Sequence, residues 1–201
     1  MPKQLLKINN QPLINFSIKT AISLNPKEVI LTYPPGMLNI FKRVFKDFPY
    51  NFKLVEGGER RQDSVKNAIN SITADGVVLI HDAARPLASK KLFKDVYKTA
   101  KKYGAAIPVI PIPDTVKEVD KDIIVKTLDR ERLFLAQTPQ GFKISLLKDA
   151  LKSTNTDITY TDEAFLFEKL GIPVHTVKGE RNNLKLTFKE DLDIIKSLIS
   201  L

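Results

Sequence analysis

Short runs rich in valine, isoleucine and leucine alternate along the chain with longer stretches whose apolar residues recur every three to four positions. That alternation predicts an α/β fold. The short runs place strands at Glu28–Thr32, Lys53–Glu56, Val77–His81, Ala105–Ile110, Ile123–Thr127, Val174–Lys178 and Leu184–Thr187. Several are continuously apolar, as strands covered on both faces are, so a mostly parallel sheet with helices on both faces is expected. Helical periodicity covers Pro12–Asn25, Met37–Phe45, Gln62–Thr73, Ser89–Tyr103, Lys143–Lys152, Thr161–Leu170 and Phe188–Ser200. Ser89 can cap one helix start, and Gly104 and Gly171 stand where a glycine is wanted after a helix end. Thr187 followed by Glu190 has the spacing of a capping box.

One segment departs from this rhythm. From about 113 to 132 a charged stretch, a turn at Asp120–Asp122 and the run Ile-Ile-Val-Lys-Thr read as a protruding two-stranded β-arm. No repeat, low-complexity tract or Gly/Ser linker interrupts the 201 residues, which are expected to form a single domain.

Composition narrows the chemistry. The absence of cysteine excludes disulfides, thiol nucleophiles and thiolate metal sites, and two distant histidines, His81 and His175, cannot form a histidine-rich metal site. They are expected to be structural. The net charge of +9 favours anionic partners. The lysines are scattered without interleaved aromatics, which argues for a solvated surface and against nucleic-acid binding. No apolar run reaches the ~20 residues of a membrane span, and the N-terminus lacks an apolar signal region, so no membrane association is expected and the cytoplasm is the default location.

The eight glycines form neither a dinucleotide fingerprint nor a P-loop, so side chains and turns must handle any phosphate. Six of the seven arginines lie in loop or turn contexts, where their planar fork suits phosphate recognition. His81-Asp82-Ala83-Ala84-Arg85-Pro86 follows an apolar run directly, and ligands of open parallel sheets bind at the carboxyl ends of strands. An Asp82–Arg85 salt bridge is the alternative, but the position at a strand end favours a site, with Asp82 available for a cation or for sugar hydroxyls. Glu56 to Ser64 follows another run and opens a helix. Its double glycine allows close approach of the backbone to a ligand, with Ser64 in the first helical turn. Gln137-Thr138-Pro139-Gln140 and Tyr160-Thr161-Asp162-Glu163-Ala164 read singly as a loop and a helix cap. Lys185 is either an edge-strand charge or, if inward-facing, a phosphate ligand.

Together these clusters resemble one family along nearly the whole chain, the cytidylyltransferases that act on 2-C-methyl-D-erythritol 4-phosphate. The matching pieces are Pro2-Lys3-Gln4, Gly57-Gly58 to Ser64, His81 to Pro86, Asp114-Thr115, Asp129-Arg130, Thr138-Pro139-Gln140, Thr161 to Ala164 and Asn183 to Thr187. The resemblance implies a glycosyltransferase-A-like nucleotidyltransferase fold, a homodimer formed through the β-arm, and a reaction of CTP with Mg²⁺ that releases pyrophosphate. By the same resemblance, Lys3 and Lys185 are the catalytic neutralisers of the α-phosphate, and Gly58, Glu59 and Ser64 bind cytosine. Asp82 and Ala83 meet the ribose, Asp82, Arg85 and Thr138 lie near the methylerythritol phosphate, and Thr115 and Arg130 bind that phosphate in the partner's site. Mg²⁺ is held mainly by the CTP phosphates, with Asp82 as its protein ligand.

The related ribitol-5-phosphate cytidylyltransferases are the alternative. Ala84, where that family tends to carry valine, together with Asp129-Arg130 and Thr161 to Ala164, leans away from them. A basic nucleic-acid-binding domain, resting on charge alone, is the remote alternative. The family opens with a buried strand and a glycine-rich turn around the triphosphate, whereas the resemblance here begins at Pro2-Lys3-Gln4. The expectation is therefore of an incomplete nucleotide site, a marginal fold and little turnover from these 201 residues.

Overall fold

The computed structural model describes residues 3–153 and 158–199. After a 3₁₀ turn at Lys3–Leu5, a small hairpin joins β1 (Lys7–Ile8) to β2 (Gln11–Pro12). Asn9 and Asn10 make its turn with φ of 49° and 61°, a left-handed geometry that asparagine tolerates better than most residues. The hairpin takes up Pro12, so the first helix starts later than its periodicity suggested. The remaining elements are α1 (Ile14–Ile22), β3 (Ile30–Tyr33), α2 (Leu38–Val44), β4 (Lys53–Glu56), α3 (Arg61–Asn70), β5 (Val77–Ile80), α4 (Lys90–Tyr103) and β6 (Ala105–Pro111). They continue with β7 (Lys117–Asp120), β8 (Ile123–Thr127), β9 (Phe134–Ala136), β10 (Gln140–Lys143), α5 (Ile144–Ser153), α6 (Ala164–Lys169), β11 (His175–Lys178) and α7 (Glu190–Ile199).

The sheet is mixed. Along the order β11-β6-β10-β5, strands β5, β6 and β11 share one direction, and β10 lies antiparallel between β5 and β6. β9 pairs with the far part of β6, setting Val109 opposite Ala136. β3 and β4 form a separate parallel pair. The expected helices on both faces are present because side chains alternate along β10. Gly141 faces α4, where an added Cβ would lie 2.9 Å from Ala100 Cβ and from Val96 Cγ1. Phe142 faces the other way, stacks on Phe167 of α6 at 4.9 Å and shares a core with Leu147 and Leu151 of α5. That core also takes Ile30 of β3 and Val78 and Ile80 of β5, so both sheets pack on it.

Two local expectations change. Leu184–Thr187 is not a strand: it runs beside the loop after β5, held by the Leu186 N–H donating to the Ala84 carbonyl at 2.8 Å instead of by a ladder. The start of α7 is capped by Asp191, whose Oδ2 accepts from the Thr187 and Phe188 N–H groups at 2.7 and 2.8 Å, and not by a Thr187–Glu190 box. Ser89 does cap α4, its Oγ accepting from Leu92 N–H at 3.1 Å, and Gly104 and Gly171 take φ of 102° and 67° after α4 and α6. Pro2 and Ser200 lie outside the described residues.

The β-arm is present as β7 and β8, antiparallel and turned at Lys121 and Asp122 with φ of 44° and 69°. Every residue of both strands is exposed, Ile123 at 71% and Ile124 at 60%. Among the described residues no helix is long and apolar enough to cross a membrane.

Candidate active site

The loop leaving β5 carries His81, Asp82, Ala83 and Arg85, and three other parts of the chain converge on it. From α3, Arg61 Nε reaches Asp82 Oδ1 at 3.3 Å; from the 184–187 segment, Lys185 Nζ meets Asp82 Oδ2 at 2.8 Å. Just before α6, Glu163 accepts from Arg61 Nη1 with both carboxylate oxygens, at 2.8 and 3.0 Å. Lys3 joins from the N-terminal turn, its Nζ donating to the Leu186 carbonyl at 3.2 Å. The two lysines expected at the α-phosphate therefore belong to one corner of the molecule.

Burial sets the electrostatics of this corner. It acts to raise the Asp82 carboxyl, but the Lys185 hydrogen bond and the Arg61 charge outweigh it and hold the group below the ordinary carboxylate range. Burial pushes the Glu163 carboxyl up, against the pull of Arg61. For Arg61 itself burial works downward, and the Glu163 and Asp82 charges more than reverse it.

The loop's shape is fixed by the segment 137–140 and by Asn183. The Asp82 N–H donates to Thr138 Oγ1 at 3.1 Å, and Thr138 Oγ1 lies 3.0 Å from His81 Nδ1. His81 Nε2 faces the Arg85 carbonyl at 3.0 Å, so it carries the ring proton and Nδ1 accepts the Thr138 hydroxyl proton. Thr138 is buried with its single proton spent, which makes it a support for the Asp82 loop in this arrangement. Asn183, fully buried, donates to the Thr138 carbonyl at 2.9 Å, while Gln137 pairs its side-chain amide with the backbone of Glu180 at 2.8 and 3.0 Å. Arg85 donates to the carbonyls of Asn183 and Ala136 at 2.8 and 3.4 Å, and its buried Nε has no partner among the described residues. No Asp82–Arg85 salt bridge forms, because Arg61 and Lys185 already occupy both Asp82 oxygens.

On the β4–α3 turn, the Gly58 N–H donates to Ser64 Oγ at 3.1 Å. A Cβ on Gly58 would come 2.4 Å from Asp63 Cβ, so the turn requires glycine there. Glu59 is exposed beside it and Ala83 packs against the β3–α2 core. Thr115 and Arg130 lie elsewhere: both are exposed on the arm, where the Arg130 guanidinium donates to the Pro113 carbonyl. His175 stacks on Tyr103 at 4.0 Å, away from the loop, in keeping with a structural role.

Arg61, Glu163, Asn183 and Gln137 were not singled out in the sequence as site residues. Their signals were an arginine in a turn and polar residues between apolar runs, which do not reveal a partner some 100 residues away.

Comparison with known proteins decides the lineage. A sequence profile of 2-C-methyl-D-erythritol 4-phosphate cytidylyltransferases matches residues 1–200. The chain belongs to this family. The relative from Dictyoglomus thermophilum, bearing that name, is 40% identical over 206 residues, spanning 98% of this chain and 89% of its own length. The Bacillus anthracis relative is 37% identical with the same coverage. The crystal structure of the Thermus thermophilus enzyme superposes with a TM-score of 0.85 at 31% identity, covering 100% of this chain and 95% of that one. The glycosyltransferase-A-like nucleotidyltransferase fold is thus shared with these enzymes.

Proposed function

We propose that the corner formed by Lys3, Lys185, Asp82 and Arg61 is where this cytidylyltransferase works. As a family member the chain is a nucleotidyltransferase that joins CTP and 2-C-methyl-D-erythritol 4-phosphate into 4-diphosphocytidyl-2-C-methyl-D-erythritol and pyrophosphate, a step of isoprenoid precursor synthesis. The observation that carries the assignment of the site is the Lys185–Asp82 pair of 2.8 Å at the carboxyl end of β5, next to the glycine turn that opens α3.

A phosphate oxygen of the sugar-alcohol substrate attacks the α-phosphorus of CTP in line, and the bond to the bridging oxygen breaks as pyrophosphate departs. Transfer of this kind asks the protein for positioning and charge neutralisation more than for covalent help. Lys185 and Lys3 offset charge building on the α-phosphate. Gly58, Glu59 and Ser64 receive the cytosine, Asp82 and Ala83 the ribose, and Arg85 the acceptor phosphate, with Thr138 holding the Asp82 loop. Among the described residues no group of three His, Asp or Glu side chains could hold a metal. Asp82 is the one carboxylate here that would hold a Mg²⁺ carried by the nucleotide phosphates. When bound, that ion neutralises phosphate charge.

The exposed arm supports a homodimer, and the cytoplasm is the location proposed for it. Val119 at 56% exposure lies opposite Ile124 at 60%, an apolar pair with no core of its own, which a second copy would cover. Thr115 and Arg130 would then act in the twin's site. Mixing Arg130→Ala with Lys185→Ala chains, each strongly impaired alone, should restore activity through mixed dimers, and no recovery would remove the arm from catalysis. The substrate is decided by pyrophosphate release from CTP with each sugar phosphate; preference for ribitol 5-phosphate would overturn the assignment.

A further inference from the structure

Four charges alternate in sign through the site: Glu163, Arg61, Asp82 and Lys185. One end is held, because Glu163 is fully buried and both its carboxylate oxygens accept from Arg61 Nη1. The other end can move. Lys185 has 43% of its side chain exposed, carries a long flexible stem and, among the described residues, makes one ion pair, with Asp82 Oδ2. Between them, among the described residues, Arg61 is the only side chain that touches both carboxylates.

We infer that Arg61, anchored on Glu163, is a positioning residue for the transfer step: by holding Asp82 Oδ1 it allows Lys185 to leave Oδ2 for the α-phosphate of the nucleotide. This rests on the proposed cytidylyl transfer. Asp82 has only 15% of its side chain exposed, so water alone compensates its charge poorly. Without Arg61, Lys185 would be its only direct cation among the described residues, since Arg85 donates to the carbonyls of Asn183 and Ala136 and not to Asp82. The ammonium would then be held as a counter-ion instead of being released to substrate. With Arg61 in place, Asp82 stays paired when Lys185 swings away. Glu163 in turn fixes the guanidinium on the loop side of α3. Nothing in the sequence assigned a role to either residue.

The test removes the Arg61 and Glu163 charges together, with Arg61→Gln/Glu163→Gln, so that neither is left buried and unpaired. Pyrophosphate release should fall ~10-fold or more in kcat with KM for CTP within ~3-fold, the signature of an interaction used mainly in the transition state. In a Lys185→Ala background the same pair should cost no more than ~2-fold, because residues acting through one another are not additive. A purely structural role would subtract the same factor in both backgrounds, and that result overturns the inference. A readout independent of turnover is the rate at which an acylating reagent labels the Lys185 amine in the nucleotide-free protein. Labelling should slow several-fold in the double variant, and an unchanged rate also overturns the inference. If circular dichroism shows that the double variant does not fold, Arg61→Lys takes its place, since one ammonium cannot bridge both carboxylates as the guanidinium fork does. Absence of pyrophosphate release from the unaltered chain would count against the transfer reaction itself, and the labelling rates would still decide the role of Arg61.

Discussion

Acidification should weaken this fold through His81 before most carboxylates titrate. Both ring nitrogens face protein, Nδ1 the Thr138 hydroxyl and Nε2 the Arg85 carbonyl, and the Phe93 ring lies 5.0 Å away. Burial pushes the imidazole from its ordinary 6.5 down to about 4. Because the folded value lies below the unfolded one, the unfolded chain takes up the proton first as pH falls. Stability is therefore intact above about pH 6.5 and is lost between there and about pH 4. At about 1.4 kcal/mol per pH unit of displacement, the loss between pH 8 and pH 4.5 is at most about 2.5 kcal/mol. Asp63, Asp82 and Asp191, all held low by hydrogen bonds or charge partners, lose stability further down, and Glu163, held high, works the other way. A comparison with His81→Asn removes those shared contributions. The variant keeps a donor and an acceptor but does not titrate. Urea unfolding followed by circular dichroism should find it less stable at pH 8, with the gap to the unaltered protein narrowing by about 2 kcal/mol by pH 4.5. A gap independent of pH would refute a buried neutral His81.

Two substitutions test the geometry of the site and a third tests the packing of β10 on α4. Lys185→Ala should cut turnover by ~10²–10³ while thermal unfolding changes little, since Asp82 keeps Arg61; equal losses of turnover and stability would contradict this. Gly58→Ala brings a Cβ to 2.4 Å from Asp63 Cβ and must shift the first turn of α3, so calorimetry should find weakened CTP binding, and unaltered affinity would count against this turn as the cytosine site. Gly141→Ala meets Ala100 and Val96 of α4 at 2.9 Å and should lower stability by about 1–3 kcal/mol, read from the urea midpoint, without touching the site directly.

The parts of this molecule that its sequence makes legible are those whose cause is local. Ser89 caps α4 and Gly104 ends it because a hydroxyl and a missing Cβ act within one turn. The β-arm is readable because two charged and apolar runs flank a tight turn. β10 escaped because Gln140 and Gly141 are poor strand formers, and its place between β5 and β6 comes from Phe142 and Gly141 fitting opposite faces. Leu184–Thr187 misled in the opposite sense: its Leu-Lys-Leu-Thr alternation is that of a strand, yet Leu186 and Leu184 are drawn into the cluster with Ile8, Leu13 and Ile195, and the backbone follows them.

The same division runs through the site. Asp82 and Lys185 could be suspected because a charge beside an apolar run is conspicuous in one dimension. Arg61 and Glu163 could not, because each looks like an ordinary turn or cap residue until the fold brings positions 61 and 163 within 2.8 Å. A charged residue that meets substrate leaves a local trace, since it must sit where the chain opens to solvent. The identity of its counter-ion depends on whichever distant segment packs beside it. For this chain Asp82 and Lys185 were open to sequence reasoning, and Arg61 with its buried partner Glu163 required the fold.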